Sequence, residues 1–326
     1  MTSLQHSIQI AQNLKTSLSQ IIKGRNDTID LVLTALFADG HILIEDYPGS
    51  GKTTLAKALG NLISSKTDND FIKSFKRIQF TPDLLPNDVL GVNIFEPSTS
   101  SFKFIPGPVF AHIVLADEIN RTGPKVQAAF LECMAEKQIT IDNQTYKLDD
   151  LFFVIGTQNP LDLAGTYPLP LVQLDRFLLK INMTYVDAAT ELEILSSHNN
   201  ILTNSQNIEP VTTREEILEA RNVVNKIEIH SSIRQAIVDL VQSSRVSDDC
   251  PIGLSTRAAL MMQKALQAFA IINGRDYVTE DDFKFLAPYV FLHRLDLDSH
   301  HEESRNIFNN LLNPIIDKLV KTGLNA

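Results

Sequence analysis

Cysteine is scarce in this chain, with Cys133 and Cys250 its only two, far apart and without CxxC or CxxH neighbours. That excludes a disulfide framework and a zinc module, and both residues are read as reduced thiols. Cys133 falls on the apolar stripe Val126, Ala129, Phe130, Cys133, Met134, a core position on a helix. Glycine and proline number only 13 and 14, no repeat or low-complexity tract occurs, and 44% of residues are hydrophobic against 21% charged. Collagen-like and disordered chains are thereby excluded. Basic residues are outnumbered, 29 against 39 acidic, for a net charge of −10. A broad phosphate-neutralising surface is therefore not expected, which argues against nucleic acid as a partner. No apolar run approaches the roughly 18 residues of a bilayer span, and Met1–Lys15 lacks the basic and apolar regions of a secretory signal. A cytoplasmic chain without membrane insertion is expected. The eight histidines form no HxxxH pair, and His300-His301 beside Glu302-Glu303 reads as solvated surface, so no protein-ligated metal is expected.

At 326 residues, roughly two domains are expected. Through about Ile181, short apolar runs at His41–Glu45, Arg77–Phe80, His112–Ala116 and Phe152–Gly156 alternate with helical patterns. Strands covered on both faces read this way, so the first part is an α/β unit with a parallel sheet flanked by helices. Two insertions interrupt it. Thr81–Phe110 holds a Pro-flanked helix around Asp83–Leu90 and a hairpin across Asn93–Phe104, tipped by Pro97–Ser101. After a helix at Lys125–Glu136, Gln138–Leu148 alternates about Asp142-Asn143, a second hairpin signal.

Beyond Ile181 the pattern is helical. Thr213-Arg-Glu-Glu216 and Thr279-Glu-Asp-Asp282 read as capping boxes, and Leu254-Ser255 opens a helix at Thr256–Ile272 that stops at Asn273-Gly274. Ile307, Leu311, Leu312, Ile315, Ile316 and Leu319 mark an amphipathic helix. The polar stretch Ser196–Gln206 is expected to be a linker or loop. The expected division is a core at residues 1–183 and an all-helical domain at 184–326.

The strongest chemical signal is His41-Ile-Leu-Ile-Glu-Asp-Tyr-Pro-Gly-Ser-Gly-Lys-Thr-Thr54, an apolar strand entering a glycine-containing loop and then a helix. Backbone N–H groups of Pro48-Gly49-Ser50-Gly51-Lys52-Thr53-Thr54 would cradle phosphates where they are not proline, Lys52 would supply a point charge, and Thr53 a hydroxyl for Mg²⁺. Asp46 stands where the full phosphate-loop pattern has glycine. A second apolar run ends in Asp117-Glu118, with Asp117 expected to hold Mg²⁺ through water and Glu118 to polarise the attacking water, strand alternation sending the two apart. A third ends in Thr157-Gln-Asn-Pro160, where Asn159 can orient water beside a terminal phosphate or simply open a turn. Together these residues define a hydrolytic nucleotide site at strand ends.

The order of these motifs resembles the AAA+ ATPases, and within them the MoxR family, over nearly the whole chain. The resemblance rests on Tyr47-Pro-Gly-Ser-Gly-Lys-Thr53, Arg77-Ile-Gln-Phe-Thr-Pro-Asp-Leu-Leu-Pro86, Asp88-Val-Leu-Gly91, Gly107-Pro-Val-Phe110, Asp117-Glu-Ile-Asn-Arg121, Thr157-Gln-Asn-Pro160, Gly165-Thr-Tyr-Pro-Leu-Pro170 and Gln173-Leu-Asp-Arg-Phe177. It implies that the two insertions are a helix-2 insert and a pre-sensor hairpin, and that the helical domain is a lid. It implies ATP and Mg²⁺ as cofactors, a ring, commonly a hexamer, and chaperone-like action on a protein client, often one carrying a metal-dependent adhesion domain. Arg176 matches an arginine finger given to a neighbour's nucleotide, with Arg121 a second candidate and an ion pair of Arg176 with Asp175 the plain alternative. Arg257 matches the lid arginine called the second sensor, although Thr256 replaces the family's usual proline. Ile22, Lys23 and Gly24 match the segment near adenine. A nucleic-acid motor and a nucleotide-dependent scaffold with little hydrolysis are the competing readings. Asn93–Phe104 carries one Lys and one Glu, and Gln138–Leu148 sets Lys147 against Asp142, too little positive charge for tracking phosphates.

Overall fold

Helical and strand patterns alternate along the first half of the chain because each apolar strand needs cover on both faces. The computed structural model describes residues 2–46, 49–65, 71–159, 165–295, 297 and 301–323. Helices α1 (Ser3–Ile21) and α2 (Asn26–Phe37) precede strand β1 (Ile42–Asp46) and α3 (Lys52–Leu62). Next come β2 (Ile63–Ser64), β3 (Lys73–Gln79), α4 (Pro86–Leu90), and the hairpin of β4 (Gly91–Glu96) and β5 (Ser101–Pro106). They are followed by β6 (Ala111–Asp117), α5 (Pro124–Glu136), and a second hairpin of β7 (Gln138–Ile141) and β8 (Gln144–Lys147). Strand β9 (Phe153–Gln158), α6 (Leu171–Leu174) and β10 (Leu179–Met183) complete the α/β part.

The main sheet has five parallel strands in the order β10-β1-β9-β6-β3. Alternation sorts its side chains. Ile42, Ile44, Ile113, Leu115, Phe153 and Ile155 join the apolar cluster of α1, α2 and α3, while Leu43, Val114, Ala116 and Val154 face α5. Cys133 sits in the second cluster, its thiol donating to Phe130 O at 2.9 Å and burial pushing its pKa up, as a core position implies. Edge strand β3 is longer than the sequence pattern suggests, because Lys73 and Lys76 face outward on a strand with a single fully buried residue, Ile78. Strand β10, which no separate run announced, adds the opposite edge.

Both insertions form hairpins. Asp142 and Asn143 adopt φ of 49° and 66°, the left-handed pair that a two-residue hairpin turn requires. The hairpins touch, through a 2.9 Å hydrogen bond from Asn93 Nδ2 to Asp142 Oδ2 and a stack of Phe104 on Tyr146 with centroids 3.9 Å apart.

The rest of the chain comprises α7 (Ala188–Gln206), β11 (Thr212–Thr213), α8 (Arg214–Val224), α9 (Ser231–Val246), α10 (Thr256–Ile272), α11 (Glu280–Phe291) and α12 (His301–Gly323). Thr213 and Thr279 form the expected capping boxes, and Gly274 at φ 73° follows the end of α10. Ser196–Gln206 is not a loop: it lies within α7, whose start Asp187 caps by accepting from Thr190 N–H. Polar residues around an exposed helix carry no apolar stripe, which is why polarity read as linker. The two-residue β11 pairs with β2, a short strand in an otherwise helical region. Helix α12 packs on α9 and α11 of its own chain through Phe308, Leu312, Ile315, Ile316 and Leu319. Among the described residues, no helix is long and apolar enough to cross a membrane.

Candidate functional site

All five strands of the sheet run the same way, so their C-terminal ends lie along one edge, where ligands bind in open α/β sheets. The loop after β1 emerges there. Gly49 and Gly51 have φ of 86° and 90°, a backbone only glycine adopts without cost, and Gly51 caps α3. Among the described residues other than their chain neighbours, no atom lies within 4 Å of where a Cβ would stand on either, so what calls for glycine here is the backbone conformation. Lys52, Thr53 and Thr54 form the first turn of α3, whose N–H groups have no carbonyl within the helix to bond and whose positive dipole end suits an anion. Ser50 lies in the loop between the two glycines, while Tyr47 and Pro48 lie outside the described residues.

Strand β6 delivers Asp117 to the same edge, buried. Lys52 Nζ is 3.6 Å from Asp117 Oδ1, Thr157 Oγ1 donates to that oxygen at 2.7 Å, and Arg77 Nη2 lies 2.6 Å from Oδ2. Glu118 separates from Asp117 by a different route from strand alternation. Its φ and ψ of 57° and 50° are left-handed, turning the chain out of β6 into a short 3-10 helix at Ile119–Arg121. Such a backbone costs a non-glycine residue on the order of 1–2 kcal/mol, and here it is held in place. Glu118 N–H donates to Thr157 Oγ1 at 2.9 Å, Gln79 Nε2 donates to Glu118 Oε2 at 2.7 Å, and Arg121 Nε lies 3.3 Å from the same oxygen. The buried Thr157 hydroxyl thus serves both acidic positions at once.

Asn159 directly follows β9. Gln158 is level with Glu45 in the sheet and donates to its carboxylate, so Asn159 leaves the edge beside the start of the phosphate loop, half-buried. Ile22 and Gly24 reach the same edge. Arg25 donates to Thr184 O, one residue beyond Met183, which is level with Asp46. Ile22 is core, and Gly24 has φ 67° with Thr190 Cγ2 only 2.3 Å from a would-be Cβ. That glycine is needed both for its turn and for the close approach of α7.

Arg176 and Arg257 are elsewhere. Leu178 N–H donates to His41 O, and Leu179 is level with Ile42, so Arg176 precedes β10 at the N-terminal edge of the sheet. It is separated from its own phosphate loop by the length of β1, about 15 Å. Arg176 Nη1 donates to Leu131 O at 2.5 Å. Asp175 does not pair with it: its partners are Arg294 Nε at 2.8 Å and Arg257 Nε at 3.8 Å. Arg257, on the first turn of α10 and more than half exposed, therefore sits beside the Arg176 turn, away from Lys52.

Arg77 and Gln79 also belong to the site, although no catalytic motif marks them in the sequence. The signal was present, since Arg77-Ile-Gln79 alternates about buried Ile78 and puts two polar side chains on one strand face. The oxygen donors Asp117 and Thr53 suit a hard cation such as Mg²⁺. Among the described residues, no group of three or more His, Cys, Asp or Glu could hold a metal ion.

A parallel sheet, a phosphate loop and paired carboxylates on the next but one strand define a P-loop ATPase core of the AAA class. Residues 41–179 match the ATPase family associated with various cellular activities (AAA), and 242–312 match the AAA lid domain. The chain is 44% identical to an uncharacterized protein YeaC of Bacillus subtilis over 88% of this chain and 86% of that one. It is 34% identical to the chaperone MoxR1 of Mycobacterium tuberculosis, over 86% and 74%. A crystal structure from Cytophaga hutchinsonii, of a protein assigned as an ATPase, superposes with a TM-score of 0.84 at 36% identity, covering 95% and 96% of the two chains. The chain belongs to the MoxR family of AAA+ ATPases.

Proposed function

We propose that this protein hydrolyses Mg·ATP at sites shared between subunits of a ring, a hexamer, and uses the cycle to remodel or mature a partner protein complex. The observation that carries this reading is the position of Arg176, at the sheet edge opposite the phosphate loop of its own chain. A cation placed there serves a neighbour's nucleotide far better than its own. Arg257, on the first turn of α10 and held beside that turn by Asp175, is assigned the same neighbouring site. Residues 1–183 form the nucleotide core and 184–326 the lid in this account, in keeping with the spans of the two family matches.

Within the site, Gly49 to Thr54 and Lys52 bind the phosphates, and Thr53 and Asp117 hold Mg²⁺. When bound, Mg²⁺ draws charge from the phosphate oxygens. Glu118 accepts a hydrogen bond from the attacking water and so polarises it, and Asn159 orients that water from the end of β9. Ile22 and Gly24 flank the base. The chaperone name of the Mycobacterium relative supports a protein client, here acted on by a cytoplasmic assembly.

The test is Mg·ATP turnover against protein concentration, with mass measured in parallel, for wild type and Arg176→Ala. Specific activity should rise with assembly and fall at least a hundredfold in the variant, since a trans arginine supplies about three or more orders of magnitude. Concentration-independent turnover, unchanged by the substitution, would remove the shared site.

A further inference from the structure

Arg77 is joined to Asp117 more tightly than any other cation in the site. Its Nε and Nη2 both donate to Asp117 Oδ2, at 3.1 and 2.6 Å, and Nη2 also donates to Gln79 Oε1 at 2.6 Å. The Gln79 amide continues the chain to Glu118. Two side chains of one edge strand thus span both acidic residues. The Asp117–Arg77 pair is uneven: the Asp117 side chain is 4% exposed, that of Arg77 47%. A buried carboxylate needs a positive partner at all times, because an unpaired buried charge is costly. An arginine at the rim can withdraw into water without repacking the core. Lys52 at 3.6 Å and the Thr157 hydroxyl at 2.7 Å occupy the other oxygen, so Oδ2 is where a second cation competes.

We propose that Arg77 is a resident counter-ion of Asp117 that Mg²⁺ displaces, so that it sets how much Mg²⁺ nucleotide binding requires. This rests on the nucleotide reading above. Without metal, Arg77 neutralises Asp117 and spares an incoming nucleotide the repulsion of a bare carboxylate. With metal, the divalent ion takes over that charge and the guanidinium moves off Oδ2. Arg77 is a positioning residue in this scheme, acting through Asp117, and it is no part of the phosphate cradle.

The test is a titration of a fluorescent, slowly hydrolysed ATP analogue on the full-length protein at a series of Mg²⁺ concentrations. Arg77→Gln should lower the half-saturating Mg²⁺ by roughly three- to tenfold, the worth of a charge-assisted hydrogen bond at a partly exposed site. Affinity without Mg²⁺ should fall in the same variant. Arg77→Lys keeps the charge and loses the fork, and its Mg²⁺ requirement should shift the same way by less. It decides the matter alone if the glutamine variant does not fold. A loss of packing would not make the protein need less metal. An unchanged or higher Mg²⁺ requirement in the variants overturns the proposal, whereas a wild-type protein that binds no analogue at any Mg²⁺ overturns the nucleotide reading instead.

Discussion

Thr157 shows how much of the site hangs on one hydroxyl. It donates to Asp117 Oδ1 and accepts from Glu118 N–H, so a single buried oxygen fixes a carboxylate and a left-handed turn together. Thr157→Val keeps the shape and removes both bonds. It should cost about 2–4 kcal/mol in urea unfolding, because a buried charged acceptor and a backbone donor both lose a partner. Mg·ATP turnover should fall at least tenfold, and Thr157→Ser should recover most of it. His41 carries a second prediction. Its Nδ1 accepts from Val154 N–H at 3.1 Å and its Nε2 lies 3.1 Å from Met134 O, which fixes the neutral ring with the proton on Nε2. Burial lowers its pKa from 6.5 to about 4. Between those values the unfolded chain takes up the proton and the folded chain does not, so stability is full above pH 6.5 and is lost as pH falls towards 4. The loss is on the order of 3 kcal/mol, read from urea unfolding across that window, and His41→Gln should flatten the slope. Asp149, which His112, Arg214 and Leu151 N–H hold well below the usual carboxylate range against the effect of burial, adds its own loss only below about pH 5, and buried His293, also lowered, adds to the slope in both proteins, so the difference between wild type and His41→Gln is what isolates His41. The phosphate loop and Asp117 were legible because they are contiguous signatures. The roles of Thr157, Arg77 and Gln79 were not, since they arise from cross-strand neighbours that only sheet order defines.

At the scale of elements, α3 presents Lys52 and Thr53 because it lies close against β3. At Gly60, an added Cβ would meet Phe75 Cβ at 2.8 Å and Ser74 O at 3.0 Å. Alanine gains about 1 kcal/mol of helix propensity there, but neither neighbour is the loose end of a flexible side chain. Overpacking of this kind costs roughly 1–3 kcal/mol, so Gly60→Ala should lower the urea midpoint and should not raise it. The hairpins were readable from two-residue periodicity and from the Asp142-Asn143 turn, which fixes its own backbone. Helix α7 was not, because its apolar residues form no buried stripe: Leu192 and Leu195 are exposed and polar residues surround them. Capping by Asp187, a local hydrogen bond, marks its start better than hydropathy does.

Across the whole molecule, the helical C-terminal region shares a core with the sheet. Residues of α1, α2 and α3 join Ile217, Leu240, Phe283 and Phe308 in one apolar cluster. Ion pairs reinforce the seam: buried Arg221 of α8 meets Asp39 at 2.6 Å and donates to Leu36 O and Asp150 O, and Arg214 meets Asp149 at 2.8 Å. The sequence announced each partner's type but not the pairing, because these contacts join residues more than sixty positions apart. Arg294 similarly ties the helical region to the Arg176 turn, through Asp175 and Phe177 O. In the proposed ring, motion of that region would be transmitted to the face offered to a neighbour. A shared site has a direct signature in mixed assemblies. Glu118→Gln and Arg176→Ala subunits should each be nearly inactive alone, one lacking the group that polarises water and the other the trans cation. Mixed before assembly, they should regain activity at roughly a quarter of sites, where an intact Glu118 faces an intact Arg176 across a head-to-tail interface. No recovery on mixing, with assembly of both variants verified by mass, would contradict the shared site.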